Sequence, residues 1–213
     1  MTDTLWVRLE ARWTSLCKDL PRGGLNAPAT AGQIEAVESL TGIRLPLDLR
    51  DAYLEFNGMQ RDAFVWNSKI RIPQVILNRF HWLDLESLAT RWTQDRCSEA
   101  GSDIDPELFG PEEAEGNSAR QREFHAGWLP IGYSGTIVSS VVDMAPSRSG
   151  RPGQVLSCNP EAGTPRAIAP SFSDCVRAML DAFDRGAVVW DGWSIVSSID
   201  NTPINSFDDW LNA

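Results

Sequence analysis

The second half of the chain contains four short apolar runs that are separated by glycine and proline turns. The runs lie at residues 128–131, 137–144, 154–158 and 166–169. Short apolar runs between turn-forming residues are typical of β-strands, and their close spacing favours hairpin connections. The pattern therefore predicts a mostly antiparallel sheet.

Helical periodicity surrounds these runs on both sides. Apolar residues recur every three or four positions over residues 4–20, and this spacing predicts an amphipathic helix. After the strands, Ser171 can cap a further helix that stops at Arg185-Gly186. Asp84 can likewise cap a helix that follows a predicted hairpin at residues 63–72.

Two more helices are predicted in the first quarter of the chain. The first begins at Thr30, where Gln33 is placed for a capping box, and Gly42 can end it in a left-handed turn. The second starts near Pro46 and ends before the Asn57-Gly58 turn. Helices, then hairpin-connected strands, then a helix indicate an α+β fold, and 213 residues suit a single enlarged domain.

One segment, at residues 98–122, departs from these patterns. It contains few apolar residues, three glycines, two prolines and many acidic residues. Such a composition is typical of a solvent-exposed insertion.

The charge balance excludes some partners and favours others. Acidic residues outnumber basic ones 29 to 19, and the formal net charge is −10. A surface of this charge repels nucleic-acid phosphates and anionic lipids, so we expect neither direct nucleic-acid binding nor membrane binding. A basic protein is the better electrostatic match.

Targeting signals and cysteine spacing together predict a cytoplasmic protein. No apolar run is long enough to span a bilayer, and the N-terminus lacks the apolar core of a signal peptide. The four cysteines are widely spaced without a CxxC pair, which favours free, buried thiols.

Two stretches of the sequence together resemble the SMI1/KNR4 family, also called the SUKH superfamily. The first stretch is TAGQIEAVESLTGIRLPLDLRDAYLEFNG, residues 30–58. The second is WLPIGYSGTIVSSVVDMAPSRSGRPGQVLSCNPE, residues 128–161. The residues that match the family's pattern in these stretches are Ile34, Gly42, Leu45, Pro46, Tyr53, Asn57, Gly58, Trp128, Pro130, Gly132, Asp143, Pro146, Gly153, Gln154 and Val155.

This resemblance implies a fold and a mode of action. It implies helices packed around a curved, mostly antiparallel sheet in a single α+β domain. On this view residues 1–27 are an N-terminal amphipathic helix, 28–186 the SMI1/KNR4-like domain with its acidic insertion, and 187–213 a C-terminal extension of the same domain. It also implies binding rather than catalysis, since bacterial members are commonly immunity proteins against toxins delivered by contact-dependent or type VI systems.

Residues that could carry chemistry give little support to an enzyme. His81 and His125, the only histidines, lie outside any HExxH or CxxC context, so no metal site and no cofactor are expected. We expect each histidine to lie in a strand and to have its hydrogen bonds satisfied within the fold. The loop at residues 150–153 leads into a strand rather than a helix, which argues against a phosphate-binding loop.

The remaining candidates are residues for binding a cognate toxin, which we expect to be basic. They are exposed acids and one tryptophan: Asp48, Asp51, Glu55, Glu112, Glu113, Glu115 and Trp66. The chain is thus predicted to be a non-catalytic immunity protein that binds its toxin stoichiometrically. Two alternatives remain open, a regulatory scaffold like the fungal members and an enzyme with a site assembled in space.

Overall fold

A computed structural model of the chain describes residues 4–60, 81–99, 115–133, 139–158, 165–192 and 195–204. The helices in these ranges are α1 (Leu5–Leu16), α2 (Ala31–Thr41), α3 (Leu47–Glu55), α4 (Leu85–Glu99) and α5 (Phe172–Asp184). The strands are β1 (His81–Trp82), β2 (Trp128–Tyr133), β3 (Ser139–Asp143), β4 (Gln154–Cys158), β5 (Arg166–Ala169), β6 (Val188–Trp190) and β7 (Ile195–Ser197). The hairpin predicted at residues 63–72 lies outside the described residues.

Five strands form the main sheet in the order β1-β2-β3-β4-β5, and every neighbouring pair is antiparallel. The four apolar runs of the sequence coincide with β2 to β5. The α+β class and the antiparallel sheet are therefore confirmed.

The two faces of this sheet carry different clusters. Leu129, Val142 and Val155 lie on the face that packs into the main core with the helices. Trp128 and Leu156 lie on the other face, in a smaller buried cluster. Strands that are buried on both faces need not alternate between polar and apolar residues, which explains the continuous apolar runs.

Local capping chemistry sets the predicted helix starts. Thr30 Oγ1 accepts a hydrogen bond from the Gln33 amide at 3.2 Å, and Gln33 Oε1 accepts one from the Thr30 amide at 2.8 Å, which completes the capping box. Asp84 Oδ1 caps α4 by accepting from the Ser87 amide at 2.7 Å. Ser171 Oγ caps α5 by accepting from the Asp174 amide at 3.1 Å.

Helix α1 packs along α5. Trp13 is fully buried, and its ring meets Phe183 edge-on with centroids 6.3 Å apart. Arg8 and Arg12 both reach the Asp184 carboxylate at 2.6 Å. The helix ends at Leu16, earlier than the predicted residue 20, and the chain then makes a short 3-10 turn at Pro21–Gly24.

A second, two-stranded sheet follows α5. The apolar stretch at residues 187–190 forms β6, which pairs antiparallel with β7. The sequence does not predict β7, because Ile195–Ser197 is only three residues long, although Asp191-Gly192 before it is a hairpin signal.

Candidate binding surface

The motif residues of the second stretch meet in one buried polar cluster, which we call the Trp128 cluster (Trp128, Asp143 and Gln154). These residues are cross-strand neighbours on β2, β3 and β4. Trp128 Nε1 donates to Asp143 Oδ1, and Gln154 Nε2 donates to Asp143 Oδ2, each at 3.0 Å. The Ala145 amide donates to Asp143 Oδ1 at 2.9 Å. Burial raises the pKa of Asp143, although these hydrogen bonds favour its ionised form.

The motif residues of the first stretch bind the start of α4. Tyr53 Oη donates to the Leu83 carbonyl at 3.0 Å, and Asn57 Oδ1 accepts from the Leu85 amide at 2.9 Å. Gly58 has a φ of +71°, and a Cβ there would lie 2.6 Å from the Asp84 nitrogen. Only glycine can hold this turn so close to the neighbouring backbone.

The histidines make hydrogen bonds within the fold. His81 Nε2 lies 3.1 Å from the Met59 carbonyl oxygen, and His81 is in β1 as expected. His125 Nδ1 accepts from the Gly127 amide at 2.9 Å. The prediction that His125 lies in a strand is wrong, because this bond between residues two positions apart closes a turn just before β2. Within the described ranges, no group of three or more His, Cys, Asp or Glu side chains could hold a metal ion.

The three acids predicted on α3 do not share one environment. Asp51 and Glu55 are exposed, as expected for residues of a partner-binding face. Asp48 is half-buried, and its Oδ2 accepts a hydrogen bond from the Ser173 amide at 3.0 Å, in the first turn of α5. The expectation that Asp48 faces solvent is therefore wrong, since its carboxylate stabilises the N-terminus of another helix.

The described end of the acidic insertion packs on the sheet. Glu115 is exposed, but Ala119 and Gln121 are buried, so the prediction of an exposed segment up to residue 122 is wrong at this end. The Ser118 carbonyl accepts from Gln154 Nε2 at 2.8 Å, which joins the segment to the Trp128 cluster. A contact made by a backbone carbonyl leaves no periodic pattern of apolar residues in the sequence, so it is not predictable from such a pattern.

The other predicted binding residues lie outside the described residues. They are Glu112, Glu113 and Trp66. Their contribution to a binding surface stays a prediction.

Two leucines on α3 were missed by the sequence reading. Leu47 is 79% exposed and Leu54 is 40% exposed. They lie seven positions apart, so they fall on the same side of the helix as Asp51 and Glu55. The apolar stripe that the sequence predicts for α3 consists of residues that are buried in the core, so it does not include these two leucines.

The fold, the Trp128 cluster and the bonds of Tyr53 and Asn57 to the start of α4 define an α+β domain. Its motif side chains hydrogen-bond to its own backbone and to one another. The SMI1 / KNR4 family (SUKH-1) matches residues 28–178, and the chain belongs to this family. A relative, the KNR4/SMI1 homolog of Yarrowia lipolytica (strain CLIB 122 / E 150), is 25% identical over 224 residues. The match covers 85% of this chain but 30% of the relative, so the chain spans less than a third of that protein.

Within the described ranges, no helix combines the length and the hydropathy that crossing a bilayer requires.

Proposed function

We propose that the chain is an immunity protein that binds a co-encoded, basic bacterial toxin in a one-to-one complex. The observation that carries this proposal is that the polar motif residues bond within the fold, whereas other carboxylates face the solvent. The motif side chains Asp143, Tyr53 and Asn57 are engaged in intramolecular hydrogen bonds. Exposed carboxylates such as Asp51 and Glu55 remain available to a partner.

Electrostatics supports capture of a basic partner. The net charge of −10 attracts a cationic protein over distances of about 8 Å at physiological salt, and steering of this kind speeds association. A toxin that kills at low copy number must be bound tightly, and nanomolar affinity corresponds to about −12 kcal/mol. Most of that energy comes from a few buried anchors, whereas exposed charges set the rate of association and the choice of partner.

A regulatory scaffold of the cell-wall type is the second candidate. It is favoured by the similarity to the KNR4/SMI1 homolog of Yarrowia lipolytica, a fungal relative. The match covers 30% of this relative, so most of the relative's length lies outside the matched region. No observation among the described residues favours the enzymatic alternative.

Co-expression with the product of the adjacent gene tests the proposal. We expect growth arrest when the neighbour is expressed alone, and protection only when this chain is present in at least equimolar amount. If no neighbouring product is toxic, or if protection persists at a small fraction of one chain per toxin, stoichiometric neutralisation is wrong.

Charge variants test the electrostatic part separately. Neutralising Glu112, Glu113 and Glu115 should slow association and flatten its dependence on salt, with little effect on folding. The matched control removes the same number of charges from exposed positions elsewhere, with Asp19→Asn, Glu35→Gln and Glu86→Gln. Equal effects of the two sets would mean that only the net charge matters.

A further inference from the structure

The exposed side of α3 presents two leucines and two carboxylates together. Leu47, Asp51, Leu54 and Glu55 follow each other at intervals of four, three and one, which places them on one side of a helix. We call this side the α3 face. Since α3 rises by about 1.5 Å per residue, its two leucines lie roughly 10 Å apart along the helix axis.

The position of the α3 face is fixed by the buried side of the helix and by hydrogen bonds near both of its ends. Leu49 and Tyr53 on the opposite side of α3 are fully buried in the main core. Asp48 joins the start of the helix to α5, and Asn57 joins the residues just after it to α4. A surface that is already ordered loses little conformational entropy when a partner binds, which favours affinity.

In the described part of the chain, no other large exposed apolar residue shares one side of a helix with a second large exposed apolar residue and two carboxylates. Val7 is 52% exposed but lies beside the ion pairs of Arg8 with α5. Leu40, near the end of α2, is 50% exposed, and Val189, on β6, is 42% exposed. Ile199, in the turn that follows β7, is 91% exposed. Single exposed apolar residues are common on protein surfaces and do not by themselves indicate a partner.

We propose that the α3 face docks a basic amphipathic helix of the partner, a proposal that rests on the proposed function. The two leucines would contact apolar side chains one heptad apart on the partner helix, the repeat at which two helices keep a shared apolar seam. The carboxylates of Asp51 and Glu55 would pair with Lys or Arg side chains that flank those apolar positions. A second copy of this chain is a poor occupant, because it brings a further net charge of −10 and the same two carboxylates.

Photo-crosslinking in the native cell tests where the partner binds. A photoreactive amino acid is placed at Leu47 in one variant and at Leu54 in a second, with matched control variants at Val189 and Ile199. We expect adducts from the α3 positions only, and mass spectrometry should locate them on a partner segment with apolar residues seven apart and basic residues between. Adducts only from the control positions, adducts with a second copy, or no adduct from α3 would each overturn the proposal.

Affinity measurements with the crosslinked partner separate the roles of the two residue types. Leu47→Ala with Leu54→Ala should raise Kd by about tenfold or more, mainly through faster dissociation. Asp51→Asn with Glu55→Gln should slow association and flatten its salt dependence, whereas Val189→Ala with Ile199→Ala should change Kd by less than about twofold. Because all these side chains are exposed, thermal melts should show that every variant folds.

The outcomes also distinguish this surface from the proposed function. A toxic partner that binds normally to the leucine variant would leave the immunity function standing and exclude the α3 face. A non-toxic partner crosslinked through α3 would support the surface and exclude immunity.

Discussion

The indole nitrogen of Trp128 donates a hydrogen bond to the carboxylate of Asp143 across two adjacent strands, at 3.0 Å. Both residues are almost completely shielded from solvent. The same carboxylate accepts from Gln154 on the next strand, and Gln154 Nε2 also donates to the Ser118 carbonyl. One buried carboxylate thus links β2, β3 and β4 by hydrogen bonds, and Gln154 connects them to the segment that covers them.

Removing the tryptophan side chain should therefore destabilise the domain strongly. Trp128→Ala should lower the free energy of unfolding by about 3–5 kcal/mol through cavity formation. Trp128→Phe keeps an aromatic ring but removes the donor, and should cost about 1–3 kcal/mol. Urea titration measures both values, and a loss near zero for Trp128→Ala would show that the cluster does not hold the sheet.

A pair of glycines separates the cost of backbone conformation from the cost of a steric clash. Gly42 and Gly58 both have a φ of +71°, but a Cβ at Gly42 would meet no atom within 4 Å, whereas one at Gly58 would meet the backbone of Asp84. Gly42→Ala should cost about 1–2 kcal/mol, the usual penalty of the left-handed region. Gly58→Ala should cost more than about 3 kcal/mol, because the backbone must also move. Similar denaturation midpoints for the two variants would contradict the close packing at Gly58.

Two aspartates on α3 should respond differently to removal. Asp48→Ala should cost about 0.5–2 kcal/mol, because the Ser173 amide loses its acceptor at the start of α5. Asp51→Ala is the matched control and should change stability by less than about 0.5 kcal/mol. Chemical denaturation of the two variants decides the point, and equal losses would argue against the link between the helices.

The ion pairs between α1 and α5 should make stability fall in acid. The hydrogen bond from Arg8, with a further one from Arg12, holds the pKa of Asp184 below its ordinary value of 3.8. Because the folded-state pKa is the lower one, the stabilisation is present above pH 3.8 and is lost as the pH falls through the folded-state pKa.

Asp184→Asn isolates this contribution. The variant should lose less than about 1 kcal/mol at pH 7, since the groups are partly exposed, and its stability should depend less on pH below about 4. Unfolding titrations over this pH range provide the measurement. An unchanged pH dependence would mean that other carboxylates dominate acid unfolding.

One of the four thiols should react rapidly with a thiol reagent, and the other three should react slowly. Cys97 is exposed, which corrects the expectation that all four thiols are buried. Burial raises the pKa of Cys17 to about 11 and that of Cys175 to about 12, and it also raises the pKa of Cys158. A thiol-reactive dye at pH 8 should therefore label one cysteine rapidly in the native protein and all four in denaturant, because the thiolate is the reactive form. Rapid native labelling of a second cysteine would contradict the packing of the core.

The sequence was most informative where structure is decided locally. The starts of α2, α4 and α5 are predicted because each depends on a side chain that caps an amide three residues away. The strands were predicted because turn-forming residues delimit their apolar runs. The family motifs located the residues of the Trp128 cluster, although their hydrogen bonds were not visible before the register was known.

The sequence was least informative where distant segments meet. Asp48 and Ser173 are 125 positions apart, and no local pattern distinguishes Asp48 from the exposed Asp51. The covering segment near Ser118 was misread for the same reason, since its acceptor atoms belong to the backbone. The leucines of the α3 face show a different limit, because an apolar residue on a helix is assigned to the core unless its angular position is checked.

The way α1 lies against α5 has a practical consequence for anyone who divides this chain into fragments. The stretch that matches the family ends at residue 178, inside α5, and begins after α1. A polypeptide of residues 28–178 would lack Leu9 and Trp13 and would be cut within the helix that they cover. We expect such a fragment to aggregate when produced alone, and to regain solubility when both flanking segments are restored.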